Sequence, residues 1–357
     1  MKPFIYNSLP GRVVFGTGTL KTLAAELEEL NCRRAFVLCG AQQASKGAAL
    51  LAQLGPLAAG LFSEASMHTP VEITDRAMLR VRETKSDCLV ALGGGSTIGL
   101  GKALALRTDL PQIAVPTTYA GSEATPILGQ TELGRKTIQR TLKVLPEVII
   151  YDVALTLTLP PKQAVASGMN AIAHAIEALY TNDINPMIEA IAQLGIAALA
   201  RALPSIVQNP RNEAARADAL YGAWTCGVCL ATGRMALHHQ LCHILGGSFR
   251  LPHAETHAVM LAHAVAYNAQ AAPDAMVQIA RALGVDNAAQ GLYDLAQNIG
   301  APMTLAEIGM REGDLSRAAE LAVATPYWNP RPIDKAGALA LLSDAYYGRR
   351  PATPIGD

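Results

Sequence analysis

A chain of 357 residues, half of them hydrophobic and 16% charged, carries enough apolar material for two packed domains, which excludes a disordered or fibrous polymer. Lysine plus arginine and aspartate plus glutamate each number 29, so the formal net charge is zero and neither a nucleic acid nor an anionic membrane is expected as a partner. No uncharged apolar run reaches the roughly 18 residues needed to cross a bilayer. Met1-Lys2-Pro3-Phe4-Ile5-Tyr6 also lacks the apolar core of a secretory signal, so a cytoplasmic protein is expected.

Taken in chain order, the first half alternates strands and helices. Leu20 to Leu30 reads as an amphipathic helix, and Ala35-Phe36-Val37-Leu38-Cys39 as a buried strand ending at Gly40. Cys88 to Leu92 is a second strand, followed at once by Gly93-Gly94-Gly95-Ser96-Thr97 and a helical run from Leu100 to Leu106. Ile113-Ala114-Val115 and Val148 to Tyr151 are further strands. Such alternation predicts a largely parallel sheet covered on both faces.

Past Leu159-Pro160-Pro161 the strand-like runs vanish and alanine-rich helical periodicity continues almost to the end. The expected organisation is an α/β dinucleotide-binding domain over 1–159 and an all-helical catalytic domain over 160–357, with the active site in the cleft between them. The tail from Gly348 to Asp357 reads as irregular. Of the six cysteines, Cys226 and Cys229 have C-x-x-C spacing, but they lie in an apolar helical stretch without a second pair and read as reduced core residues.

The glycine run has a physical use. Three glycines let the backbone approach a pyrophosphate, and the helix that follows turns its amides and its dipole toward the anion. Gly93, Gly94, Gly95, Ser96 and Thr97 are therefore candidate cofactor contacts, with Lys102 placed to reach a ribose or phosphate. The spacing differs from the common G-x-G-x-x-G fingerprint, so another dinucleotide fold is implied. Thr117, Thr118 and Ser122 form a second hydroxyl-rich loop after a strand. The first strand ends in Cys39-Gly40-Ala41-Gln42, with no acid to bind a ribose 2′-hydroxyl. NADH is the expected cofactor, and NADPH should be accepted too.

Six of the eight histidines fall between His238 and His263. Asn170 and His174 are four apart and share a helix face, as do His239 and His243, while His253 follows in Leu251-Pro252-His253-Ala254-Glu255. Three histidines and one acid would make a divalent metal site. Here the acid's place is held by Asn170, a neutral amide and a poor ligand for zinc or iron. No bound metal is expected.

With these residues the chain resembles the iron-type alcohol dehydrogenase superfamily, whose members also include glycerol dehydrogenase and, more distantly, dehydroquinate synthase. The resemblance runs from Phe15-Gly16-Thr17-Gly18 through the glycine loop and Pro116-Thr117-Thr118 to His239, His243 and Pro252-His253. Within the superfamily the likeness is to its maleylacetate-reducing branch. It rests on Gly95 to Leu100, Thr117 to Glu123, Ser167 to Asn170, His238 to His243, Leu251 to His257 and Pro326-Tyr327-Trp328-Asn329-Pro330-Arg331-Pro332. The resemblance places the metal positions of the alcohol dehydrogenases on Asn170, His174, His239 and His253. It replaces the superfamily's Asp in the glycine motif by Gly99.

What it implies is an NAD(P)H-dependent, metal-free reduction of the double bond of maleylacetate to 3-oxoadipate in bacterial degradation of aromatic compounds. The catalytic candidates are His174, His239, His243 and His253. Asn170, Tyr119, Tyr327 and Arg331 are the substrate candidates, with Arg331 suited to one carboxylate of the dicarboxylate, and Lys136 joins the cofactor set. A homodimer is implied, with the segment from Phe4 to Phe15 pairing across the interface. The alternative within the superfamily is a metal-dependent alcohol or polyol dehydrogenase.

Overall fold

The computed structural model describes residues 4, 6–132, 135–182 and 184–352, with the side chains of 135 and 136 excepted. The chain divides into two compact units, Asn7–Leu159 and the part from Pro160 onward together with the residues before Asn7.

The first unit runs β1 (Arg12–Gly16), α1 (Leu23–Glu29), β2 (Ala35–Leu38), α2 (Ala44–Leu54), β3 (Ala58–Phe62), α3 (Val71–Glu83), β4 (Cys88–Gly93), α4 (Gly95–Thr108) and β5 (Gln112–Pro116). A hairpin of β6 (Ile127–Glu132) and β7 (Arg135–Arg140), then β8 (Val148–Asp152) and the one-turn α5 (Val153–Thr156), complete it. Six strands form a parallel sheet in the order β1-β8-β5-β4-β2-β3. The central strands are buried on both faces, which is why they read as continuous apolar runs. Val37, Val90, Leu92, Ile113 and Val115 point to one face and pack with Leu23 and Leu27 of α1 and Leu50 and Leu54 of α2. Phe36, Leu38 and Leu89 point to the other, against Ala77 and Val81 of α3 and Leu100 and Leu104 of α4.

Strand order reverses between β2 and β4. The chain leaves β2 for β3 on one side and returns to β4 on the other. In open α/β sheets ligands bind beyond the carboxyl ends of the strands at such a switch point. Gly40 and the Gly93–Gly95 turn stand there.

The remaining helices are α6 (Pro161–Leu179), α7 (Pro186–Gln208), α8 (Glu213–Thr232), α9 (Leu237–Phe249), α10 (His253–Asn268), α11 (Pro273–Leu283), α12 (Ala288–Asn298), α13 (Leu315–Ala324) and α14 (Lys335–Tyr347). Pro161 opens α6 at the first helical position, where its missing N–H costs nothing. From Ala164 to Leu179 this helix is buried on every side, and α7, α8 and α10 pack around it. α7 is long and apolar enough to cross a membrane by length and composition, yet Ile196, Leu199 and Leu203 are buried and the helix packs on α6 and α8. At Gly195 a Cβ would sit 2.6 Å from Thr225 Oγ1 and 2.7 Å from Cys226 Sγ, so α7 and α8 approach there almost backbone to backbone. Cys226 and Cys229 are free and buried at this crossing, and burial pushes the Cys229 thiol up to about 12.

Candidate functional site

In the α/β unit the site is built by two strand ends. α4 starts at Gly95, five residues earlier than the apolar run suggests, with Gly94 as its N-cap and no side chain capping it. Gly95, Ser96 and Thr97 are thus the first turn of a helix, and such a turn carries amides with no intrahelical acceptor. The glycines have a cause within the protein as well. A Cβ on Gly93 would lie 2.3 Å from Thr97 Oγ1, and one on Gly94 would lie 2.9 Å from Thr118 Cγ2. Space for a pyrophosphate alone therefore does not account for Gly94. Thr118 closes over it.

The second loop leaves β5 beside this turn. Thr117 Oγ1 accepts a hydrogen bond from Gln43 Nε2 at 2.9 Å, which ties the loop to the residues after β2. The buried Ser122 Oγ has no hydrogen-bond partner, and it lies 3.9 Å from the place of a Gly95 Cβ. Tyr119 is fully buried.

Lys102 does not reach outward to a ribose or phosphate. Its side chain is 1% exposed, and Nζ contacts Ser122 O and Thr125 O at 2.6 Å, Thr125 Oγ1 at 2.9 Å and Ile127 O at 3.0 Å. Burial pulls the ammonium down to about 7 against the opposing pull of Glu123. Glu123 Oε1 accepts from the Tyr151 hydroxyl at 2.9 Å. Lys102 thus braces the second loop from beneath. Lys136 lies on β7, and its side chain falls outside the described residues.

In the helical unit, α6, α9 and α10 bring six imidazoles together. His174 of α6 stacks on His239 of α9 with ring centroids 5.1 Å apart. His257 of α10 lies 4.8 Å from both His238 and His239 and 4.5 Å from His253, and His243 and His253 stack at 6.4 Å. Asn170, one turn before His174, is buried, and Asn170 Oδ1 and His174 Nδ1 have no hydrogen-bond partner. Tyr327 brings a buried, unpartnered hydroxyl, pushed up by burial and by the charge of Glu177.

Arg331 is not brought to these rings. It is exposed, its guanidinium lies 4.2 Å above the Tyr267 ring, and it donates to Tyr267 O at 3.3 Å. Tyr267 follows His253 by fourteen residues, about 21 Å along α10. Asn329, two residues earlier, accepts from Leu237 N at 3.3 Å and so fastens this loop to the start of α9.

Three members of the cluster escaped the sequence reading. Glu177, fully buried, is the carboxylate that meets the rings, with Oε2 at 2.6 Å from His239 Nδ1. It stands seven residues after Asn170 and three after His174, a spacing that already puts it on their helix face. His257 lies four residues after His253. His238 follows no such spacing, and its Nε2 is hydrogen-bonded to His257 Nδ1 at 2.9 Å. Burial pushes the Glu177 carboxyl up, opposed by His238 and by the amides that bond it. Burial, and then the neighbouring rings, hold His174 and His257 well below the usual imidazole value.

These shifts predict acid lability. His238 is pulled by burial from 6.5 to about 3, and His263 from 6.5 to about 4. A depressed folded-state value gives stability that is complete above 6.5 and lost as the pH falls from 6.5 toward the folded value. Each of the two should cost about 1.4 kcal/mol per pH unit in that window. Urea midpoints measured from about pH 7 down to pH 5 should fall steeply. A flat profile would mean that the rings are protonated in the native state.

The model of the iron-containing alcohol dehydrogenases matches residues 10–153, and that of the C-terminal part of the Fe-containing alcohol dehydrogenase family matches 164–346. The chain belongs to the iron-containing alcohol dehydrogenase family. Among its relatives in that family, the maleylacetate reductase of Rhizobium sp. is 54% identical over 98% of this chain and 100% of its own length. That of Sphingobium indicum is 53% identical over 98% and 99%. The solved maleylacetate reductase of Agrobacterium tumefaciens superposes with a TM-score of 0.96 at 53% identity, covering 98% of this chain and 100% of that one.

Asn170, His174, His239 and His253 offer three imidazoles and a neutral amide, a set without negative charge that suits a divalent cation poorly. Among the described residues His238, Cys242 and His257 bring ligand atoms within 4.8 Å of one another, but His238 Nε2 and His257 Nδ1 are hydrogen-bonded to each other at 2.9 Å. Neither set fits the family's iron.

Proposed function

We propose that this chain reduces the carbon–carbon double bond of maleylacetate to give 3-oxoadipate, with NADH as hydride donor and without a metal. One observation carries the reading: the acid of a metal site is the neutral Asn170, in a chain about half identical from end to end to maleylacetate reductases. The first turn of α4, at the switch point of the sheet, would hold the pyrophosphate of NADH, and Thr117, Thr118 and Ser122 would offer hydroxyls to it. NADPH is accepted as well, because Cys39-Gly40-Ala41-Gln42 sets no carboxylate against a 2′-phosphate.

Maleylacetate has a double bond conjugated to its ketone. Hydride adds to the carbon β to the ketone, charge collects on the ketone oxygen as an enolate, and a proton completes the adjacent carbon. Imidazoles perform both remaining tasks. His239 and His174 face the developing oxyanion, and His243 or His253 delivers the proton. Asn170, with its unpartnered buried amide oxygen, and Tyr327, with its unpartnered hydroxyl, orient the substrate. Tyr119 and Arg331 act only from a distance, since one is buried in the core and the other is stacked on Tyr267. The protein works as a cytoplasmic homodimer. β1 is the edge strand of the sheet, and Phe4 and Phe15 are exposed on that segment, which supports pairing there. Sedimentation at micromolar concentration gives the state directly.

Metal content and chelation test this reading. Purified enzyme should hold less than one metal per chain and keep its rate in chelator. Asn170→Asp restores the missing anion, so it should raise zinc or iron affinity at least tenfold and slow the reductase. Loss of wild-type activity in chelator, with recovery on adding iron or zinc, would instead support a metal-dependent alcohol dehydrogenase.

A further inference from the structure

We infer that Glu177 is a positioning residue for the reduction: its carboxylate anchors the start of α9 and fixes His239 with the proton on Nδ1, so that Nε2 is the nitrogen turned to the substrate. The inference rests on the proposed function for what His239 does, but not for how it is held.

The geometry is that of a helix cap supplied from another helix. α9 begins after Ala236 with no side-chain cap of its own. Its leading amides would be buried donors without acceptors, which is costly. Asn329 takes that of Leu237, and Glu177 of α6 takes two others. Oε2 accepts from Ala236 N at 3.0 Å, and Oε1 accepts from His238 N at 2.8 Å. Oε1 also accepts from the Tyr180 hydroxyl at 3.4 Å, and Oε2 meets His239 Nδ1 at 2.6 Å. Four donors converge on two oxygens. That is the full acceptor capacity of an ionised carboxylate, and an anion at a helix N-terminus is favoured by the dipole as well.

Two backbone bonds, one to each oxygen, lock the rotation of the carboxylate. The acceptor that faces Nδ1 then dictates which ring nitrogen carries the proton, and it orients the ring. His239 is stacked on His174, so a turned ring would disturb both. In a cluster of six imidazoles, one fixed carboxylate also supplies the charge that steadies a positive ring. Glutamine has nearly the same shape but only one acceptor oxygen. Whichever way its amide lies, one pair of donors loses its partner.

The test combines a spectrum with a double-mutant cycle. Long-range nitrogen–proton correlation spectra of the full-length protein labelled at histidine, with His239 assigned by its loss in H239Q, should show the proton on Nδ1. A proton held on Nε2 alone would overturn the inference. In steady state with maleylacetate and NADH, E177Q should lower kcat about 10²-fold and leave the KM for NADH unchanged. In an H239Q background the same change should add less than about threefold, because its effect runs through His239. Full additivity would overturn the inference, as would an E177Q protein with lowered melting temperature and undiminished kcat. Should E177Q not fold, the wild-type spectrum decides alone. If wild type does not reduce maleylacetate, the function proposed above fails, and the spectrum still tells whether Glu177 sets His239.

Discussion

Changing His243 or His253 to alanine should lower kcat for maleylacetate by about 10²–10⁴, the span that one general acid supplies, with NADH affinity nearly unchanged. The two rings stack 6.4 Å apart, one at the middle of α9 and one at the first position of α10. Arg250, in the left-handed conformation with φ 58°, and Pro252 turn the chain between the helices and fix that approach. Either ring is thus placed by backbone that does not depend on the substrate, and its removal should leave the fold intact. Stopped-flow reduction and a fluorescence titration with NADH separate the two effects. The enolate account predicts a slow step after normal cofactor binding. Near-full turnover in both variants would leave catalysis to the cofactor and fixed dipoles, and the rings would be packing alone.

Lys102→Met should cost about 3–5 kcal/mol of stability, because it removes the buried donor on which three backbone carbonyls and the Thr125 hydroxyl converge and leaves them without it. The ammonium ties together Ser122 O, Thr125 O and Ile127 O, and it feels the charge of Glu123, which is bonded to Tyr151. Methionine fills similar volume but donates nothing. The carbonyls would be stranded, and the Glu123 carboxyl, which burial pushes up, would lose the opposing pull of the ammonium. Since Ser122 belongs to the loop beside α4, NADH affinity should fall along with the denaturation midpoint. A loss below about 1 kcal/mol would mean that the lysine is buried in its neutral form, where its desolvation costs little.

How much of this was legible in the sequence depends on what each residue had to do. The central strands were plain, because a strand buried on both faces must be apolar throughout. β4 and β5 came one residue longer than their apolar runs at the carboxyl end, and β5 one longer at its start too. Edge strands were not plain. β1 is half exposed, β3 reads Ala-Ala-Gly-Leu-Phe, and the β6–β7 hairpin is largely polar, so none shows a buried run. The Leu20–Leu30 helix proved to be a 3-10 turn at Thr19–Thr22 followed by α1. α4 began early because glycine, serine and threonine carry no apolar period, although they form its first turn.

The histidines were legible as a cluster through their i, i+4 spacing, and so was the missing acid at position 170. Their geometry was not. Lys102 and Arg331 sit in motifs that suggest a ligand, and only the fold reveals that one is turned beneath a loop and the other onto Tyr267. Glu177 was hidden for the opposite reason. Its spacing puts it on the helix face of Asn170 and His174, but nothing local gives it a task, because its partners come from α9, about sixty residues away.

The central claim is that hydride goes to the carbon–carbon double bond and not to the carbonyl. It is tested most directly by reducing maleylacetate with NADH deuterated at the transferable position, in the presence of chelator, and locating the label by nuclear magnetic resonance. The account predicts 3-oxoadipate with deuterium on the carbon β to the ketone and a proton from water on its neighbour. Deuterium on a hydroxyl-bearing carbon, with the double bond intact, would contradict it and return the chain to the alcohol dehydrogenases of its family.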